Sequence, residues 1–348
     1  MAESDVPIAA ILIAGPTASG KSALALALAE RLGGMVVNAD ASQVYRDLRI
    51  LTARPSEAEE RRAPHALYGH VDAGESYGVG RWLADAGMVV NRLRTASEPA
   101  SQHEEAASGP CAIPIFVGGT GLYFEALTRG LASVPVIPDE VREKWRGFGP
   151  AAELHAELVR RDPVMAARLR PSDPQRLMRA LEVIDATGRS LADWQAEISE
   201  PALDRASALK IVLSPDRAAL DARIARRLAL MLEQGAAEEA ERLVARGLDP
   251  ALPALKALGV FALSAWRRGE MSREDAIERT RLDTRRYAKR QSTWFRNRMA
   301  DWIHVAPEAS EEAVEREIAR RGVSAMSPSS SPPREDEGAV HDVAGASS

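Results

Sequence analysis

The sequence predicts an α/β fold, a three-layer sandwich on a parallel sheet that carries an all-helical insertion domain. Three observations point to it. Short, wholly apolar runs rich in β-branched residues alternate with helix-forming sequence, the pattern of a parallel sheet covered on both faces. Loops after three of those runs begin with polar signals, at the strand ends where such sheets bind ligands. Between about Pro135 and Pro201 the chain is amphipathic and broken by prolines, with no strand candidate.

Taken in order, residues 8–14 are apolar and form the first expected strand, followed by a glycine-rich turn and the helix former SALALALAERL. A second strand is expected at 35–37, ending at Asn38-Ala39-Asp40, and a third at 113–117, ending at Gly118-Gly119-Thr120. The polar stretch 98–110 between them is expected to be a surface loop. A fourth strand is expected at 209–213, ending at Ser214-Pro215. Residues 216–246 return to helix, because Leu220, Ile224, Leu228 and Met231 or Leu232 recur at helical spacing. From about Ser324 the chain lacks aromatics and apolar periodicity and should be disordered. The expected organisation is a core from 1 to 134, a helical insertion from 135 to 201, a second core part from 202 to 323 and a tail from 324 to 348. There is no internal repeat.

The chain's 348 residues, 45% of them hydrophobic and 27% charged, describe an ordinary globular protein with room for a sizeable core. A single cysteine, Cys111, excludes an internal disulfide and any cysteine-rich metal site. His65, His70 and Cys111 have no metal-ligand spacing and are expected to be structural. The N-terminus lacks a basic n-region and nothing is long enough to span a membrane, so a cytoplasmic protein is expected. The net charge of −5 conceals a cationic segment: between Arg281 and Arg298 seven basic residues face one acid, Asp283.

Gly15-Pro16-Thr17-Ala18-Ser19-Gly20-Lys21-Ser22 matches GxxxxGK[ST] between a strand and a helix, the P-loop context. Glycines let the backbone curl so that N–H groups point at phosphate oxygens, and the next helix adds the positive end of its dipole. Lys21 supplies a full charge and Ser22 a hydroxyl for Mg²⁺. A phosphate-bearing ligand follows. Most such loops bind ATP or GTP, and a second acid at a strand end is then usual; Asp40 is the candidate, with a helix N-cap as its plainer role.

Five blocks together extend the argument: GPTASGKS, NADASQVYRDLRILTARP, VGGTGLYFEAL, DPQRLMRALEVIDATG and KRQSTWFRN, in that order. In them the chain resembles the tRNA dimethylallyltransferases over roughly residues 8 to 302. The resemblance implies a P-loop core that holds dimethylallyl diphosphate with Mg²⁺, and a helical insertion that helps grip the tRNA anticodon stem-loop. The five-carbon group would pass to N6 of the adenine just 3′ of the anticodon. Asp40 would take the amine proton and Thr120 would orient the amine. Lys21, Mg²⁺ on Ser22, the loop amides and Arg223 would stabilise the departing diphosphate. The adenine would have to leave its stack. The family's zinc finger, present in eukaryotic relatives, is absent here, and a monomer is expected.

For tRNA the resemblance implies contacts from Asp40, Ala41, Ser42, Gln43 and Thr120, and from Arg142. It implies them also from Gln175, Arg176, Leu177, Met178 and Arg179, which follow the helix-start signal Pro174. The last block adds Lys289, Arg290, Gln291, Ser292, Thr293, Trp294, Phe295 and Arg296, although Trp294 by itself reads as core. A charge run on a helix is usually just a solvated face. Here donors and a stacking face accompany the charges, as RNA binders need. Two departures stand out. Ala41 replaces the serine that usually follows the acid, with Ser42 next in line to hold Asp40. Phe261 replaces an arginine, which removes a basis for tRNA contact around Lys256 to Phe261. The competing functions are a P-loop small-molecule kinase and an RNA-binding protein with a relic P-loop.

Overall fold

The computed structural model describes residues 6–95 and 113–323; Cys111, the whole of the expected loop at 98–110 and the tail from Ser324 lie outside them. The strands are β1 (Ala10–Ala14), β2 (Met35–Asn38), β3 (His65–Ala66), β4 (Pro114–Gly118), β5 (Ala208–Leu213) and β6 (Ile303–Val305). They form one parallel sheet in the order β3-β2-β4-β1-β5-β6. β1 sits at the centre, with Ile11 beside Ile115 and Leu209.

Burial on both faces explains why the middle strands are apolar but for Asn38 and Lys210. Ile11 and Ile13 of β1 join one core cluster with Leu24, Leu28 and Val314, while Ala10, Leu12 and Ala14 join the other with Trp82, Phe124 and Leu127. Alternate residues thus face opposite helical layers. The first layer is the helix Lys21–Leu32 with Ser310–Arg321, and the second includes Val79–Thr95 and Gly121–Arg129.

β3 and β6 were not expected. They are edge strands of 2 and 3 residues, too short for periodicity to register. The helix expected across 216–246 is two, Arg217–Glu233 and Ala236–Ala245. Gly235 breaks it with φ 97°, a conformation side-chain-bearing residues avoid.

From 135 to 201 the described chain is helical: Asp139–Arg146, Ala151–Arg161, Pro163–Arg168, Pro174–Thr187 and Leu191–Ala196. These helices pack on a cluster of their own around Trp145, Leu158, Leu177 and Leu181. An antiparallel bridge between Ala132 and Ile198 joins the two ends of the segment. The longest helix, Arg273–Arg298, buries Ala276, Thr280, Ala288, Gln291 and Phe295 and carries the cationic run outward.

Candidate active site

The phosphate loop leaves β1 at Ala14 and curls before Lys21 opens its helix. Ala18 and Gly20 both adopt positive φ, 62° and 95°, so the strain of a left-handed alanine is held here by the loop. Lys21 is 9% exposed, and its Nζ donates to the Pro16 carbonyl at 3.3 Å. Burial pulls its amine down to about 8; the Asp40 charge opposes that fall and the Arg227 charge adds to it. Ser22 is exposed. Together with Lys21 and Gly20 it lines a cavity of about 570 Å³.

Arg223 also lines this cavity. It donates to the Ser19 carbonyl at 3.3 Å and to Glu308 Oε1 at 2.7 Å, so its charge is partnered at the cavity mouth. Arg227 lies one turn further along the same helix. It donates to Thr17 Oγ1 at 2.9 Å and to the Thr52 carbonyl at 3.3 Å. Sequence reasoning missed it. The available signal was its spacing of four from Arg223, which puts both on one helix face. Arg227→Ala is expected to weaken binding of inorganic diphosphate about tenfold, the scale of a lost charge-assisted hydrogen bond. Calorimetry reads this; affinity within about twofold of the unaltered protein would take Arg227 out of phosphate binding.

Asp40 follows β2 and is 9% exposed. Its Oδ1 accepts from the Ser42 amide at 3.0 Å and the Ser42 hydroxyl at 2.7 Å. Ser42 therefore does hold Asp40, although Ala41 lacks a hydroxyl. Asn38, fully buried, fixes the backbone: its Oδ1 accepts from the Asp40 amide at 2.8 Å and its Nδ2 donates to the Asp40 carbonyl at 3.0 Å. Sequence reasoning read Asn38 only as part of a strand end. Thr120 Oγ1 accepts from the Ala41 amide at 2.9 Å, so the loops after β2 and β4 are stitched together. Such closeness needs Gly118, where a Cβ would lie 2.0 Å from the Ala39 carbonyl oxygen.

A second cavity of about 300 Å³ shares Thr17, Ala18, Asp40, Thr52 and Arg227 with the phosphate cavity. Leu51, Ile224, Leu228, Met231 and Leu258 give it an apolar wall. Asp40 thus stands where a phosphate-binding space meets an apolar one.

A third space, about 870 Å³, is a cationic cleft lined by Arg170 and Arg176 of the helical segment and by Lys289, Arg290, Trp294 and Arg298 opposite. Arg290 also reaches the apolar cavity, so cleft and site share a wall. Arg290 stacks over Tyr287 at 5.6 Å.

The remaining predicted residues divide. Gln175, Arg176 and Arg179 are exposed, and Met178 is half-buried against the segment's core. Arg142 pairs with Asp139 at 3.6 Å and does not line the cleft. Thr293 and Arg296 are exposed. Ser292 bonds its own helix at the Ala288 carbonyl, 2.9 Å away. Gln43 donates to the carbonyls of Thr52 and Ala53, bracing the loop beside Asp40. Trp294 is half-buried against Gly121 and edge-on to Phe295, yet it also borders the cleft.

Three residues expected at the RNA surface are internal instead. Leu177 and Phe295 are core side chains, 0% and 1% exposed. Gln291 is buried, its Oε1 accepting from the Thr17 amide at 2.9 Å and its Nε2 donating to the Gly119 carbonyl at 2.9 Å. It ties the cationic helix to the phosphate loop and to the loop after β4. Arg281 and Arg285, both half-buried, pair with Glu278 and Asp221.

A family model described as IPP transferase matches residues 43–298, and one described as isopentenyl transferase matches residues 8–65. The chain is 54% identical over 305 residues to a tRNA dimethylallyltransferase of Methylocella silvestris, spanning 87% of this chain and 96% of that protein. It is 53% identical over 304 residues to a tRNA dimethylallyltransferase of Azorhizobium caulinodans, spanning 86% and 93%. Among solved structures it is similar to a tRNA isopentenylpyrophosphate transferase of Bacillus halodurans (TM-score 0.61, 30% identity, 89% of this chain and 95% of that one). It is also similar to a eukaryotic dimethylallyltransferase acting on tRNA (TM-score 0.73, 26% identity, 89% and 77%).

Proposed function

The chain belongs to the IPP transferase family, and from that premise we propose that it is a tRNA dimethylallyltransferase. It transfers a dimethylallyl group from dimethylallyl diphosphate to N6 of the adenine 3′ of the anticodon, releasing diphosphate. The observation that carries this is a run of three spaces: a phosphate cavity and an apolar cavity meet at Asp40, and a cationic cleft joins the apolar cavity at Arg290. A small-molecule kinase has no use for the cleft, and a relic P-loop has no use for a buried Lys21 beside Asp40.

The donor diphosphate lies along the phosphate loop, and its five-carbon group extends toward the apolar wall of Leu51, Ile224, Leu228 and Met231. The adenine enters from the cleft past Arg290. As N6 attacks, the N6–C1 bond forms and the C1–O bond breaks, with the electron pair leaving on the diphosphate. Asp40 accepts the N6 proton; Ser42 holds its carboxylate and Asn38 its backbone in place. Thr120 orients the amine. Lys21, Arg227 and Arg223 take up the charge that develops on the leaving group, the largest usual contribution to such a step. Arg223 exchanges its Glu308 partner for phosphate oxygens.

Mg²⁺ fits this arrangement. The Ser22 hydroxyl is exposed to the phosphate cavity beside Lys21. Mg²⁺ is commonly held by one or two protein groups with substrate phosphates. Bound there, it would neutralise diphosphate oxygens; Ser22 is the residue that would hold it.

Two measurements test the whole. Unmodified tRNA with labelled dimethylallyl diphosphate should acquire the label, while ATP offered in parallel should yield no adenylylated or phosphorylated tRNA. Transfer from ATP alone would return the protein to the kinase class. For the cleft, Lys289→Ala with Arg290→Ala is expected to weaken tRNA binding and to flatten the plot of log affinity against log salt, by a slope of about 1 to 2. An unaltered slope would make this helix face a solvated surface with no part in tRNA binding.

A further inference from the structure

Phe261 lies in a place where an exposed aromatic ring is unusual. It is 48% exposed, on the outer face of the helix Val260–Arg267, whose Val260 and Leu263 are fully buried. Only Phe148 and Phe261 are exposed aromatic side chains among the described residues, and Phe148 packs on Trp145 at 4.8 Å. Phe261 has no ring partner among the described residues. It faces a cavity of about 550 Å³ whose apolar floor includes Leu258, Ala262 and Met271 and whose cations include Lys256, Arg286 and Arg290.

The position of this cavity matters more than its size. Lys256, Ala257, Leu258, Thr280 and Arg290 belong to its wall and also to the wall of the apolar cavity that reaches Asp40. Arg286 and Arg290 continue it into the cationic cleft. A polynucleotide led along the cleft to Asp40 therefore passes Phe261 immediately outside the site. Among the described residues Lys256 and Arg290 have no acidic partner, and so are available to the backbone of such a strand.

Resting on the tRNA activity proposed above, we propose that Phe261 is a stacking platform for an unpaired base of the anticodon loop next to the target adenine. Extracting one base from a loop leaves its neighbours without a stacking partner. An aromatic face bordered by cations restores that stack and holds the neighbouring phosphates. Phe261 contributes a ring face and leaves the charge to Lys256 and Arg290. The contribution of Phe261 itself is consequently expected to depend on the ring and to be independent of salt, while Lys256 and Arg290 carry the salt-dependent part.

The test uses the full chain and an anticodon stem-loop with 2-aminopurine at the nucleotide beside the target adenine. Wild-type protein should quench the probe. Phe261→Ala and Phe261→Leu should lose the quenching and bind roughly tenfold more weakly, the scale of one lost base stack. Phe261→Trp should retain both, and the salt slope should be the same in all four proteins, since no charge is altered. Stacking is overturned if the wild-type complex leaves the probe unquenched, or if Phe261→Ala binds within about twofold of wild type. It is also overturned if Phe261→Leu behaves as wild type, which would make the contact plain apolar packing. These binding readouts stand apart from labelled prenyl transfer by the wild-type enzyme. Failure of transfer indicts the proposed activity, whereas transfer with insensitive Phe261 variants indicts the platform alone.

Discussion

Lys21→Ala is expected to lower turnover by roughly 10³-fold while tRNA affinity stays near that of the unaltered enzyme. Its side chain is buried at the start of the helix that follows the phosphate loop, and it lines the phosphate cavity. Removing one preorganised charge or donor from a developing oxyanion costs on the order of 10² to 10³ in rate. The cationic cleft, built from other elements, is untouched. Single-turnover rates and tRNA binding should be measured side by side; parallel losses in both would mean that the phosphate site has been misplaced. A pH dependence accompanies the substitution. The amine is held down to about 8 by burial, so in the donor-free enzyme it is charged below that pH and neutral above it. Donor binding should therefore be strongest below about pH 8 and weaken as pH rises through it, with proton uptake on binding. Lys21→Ala should abolish that titration.

Asp40→Asn is expected to slow the chemical step roughly 10²-fold or more, the scale of a lost general base. The substitution keeps the shape and can still accept from Ser42, so the loop after β2 should hold its course. What disappears is the capacity to receive the N6 proton. The neighbouring charges also shift, because Asp40 is the anion that offsets Lys21 and Arg227. Donor affinity is accordingly predicted to hold or rise while the rate falls. A single-turnover rate near wild type would remove Asp40 from proton transfer.

How far the sequence could lead is clear from particular elements. The central strands could be read because burial on both faces makes nearly every residue apolar, Asn38 and Lys210 apart, so composition marks them. The phosphate loop was legible because its glycines and Lys21 occupy fixed spacings. β3 and β6 escaped because a two- or three-residue edge strand owes its existence to the neighbour it pairs with. Arg227 escaped for a related reason: on a helix with several arginines, only the fold decides which one turns inward. Leu177, Gln291 and Phe295 were placed at the RNA surface because a motif is a contiguous string, whereas a helix rotates about 100° per residue. Contiguous residues in an RNA-binding block must therefore include some that face the core. Ser42 shows the opposite case, where a displaced hydroxyl two residues from the acid reaches the same carboxylate.

The pair of hydrogen bonds made by Gln291 has a thermodynamic consequence. A carboxamide presents an acceptor and a donor at its two ends, and here one end holds the phosphate loop at Thr17 and the other the Gly119 carbonyl, while its backbone belongs to the helix that borders the cleft. Two binding sites joined through one strut share a free-energy cycle. Whatever factor bound donor adds to the affinity for tRNA, bound tRNA adds to the affinity for donor. The order in which the two substrates arrive then sets the route to the ternary complex and leaves its depth unchanged.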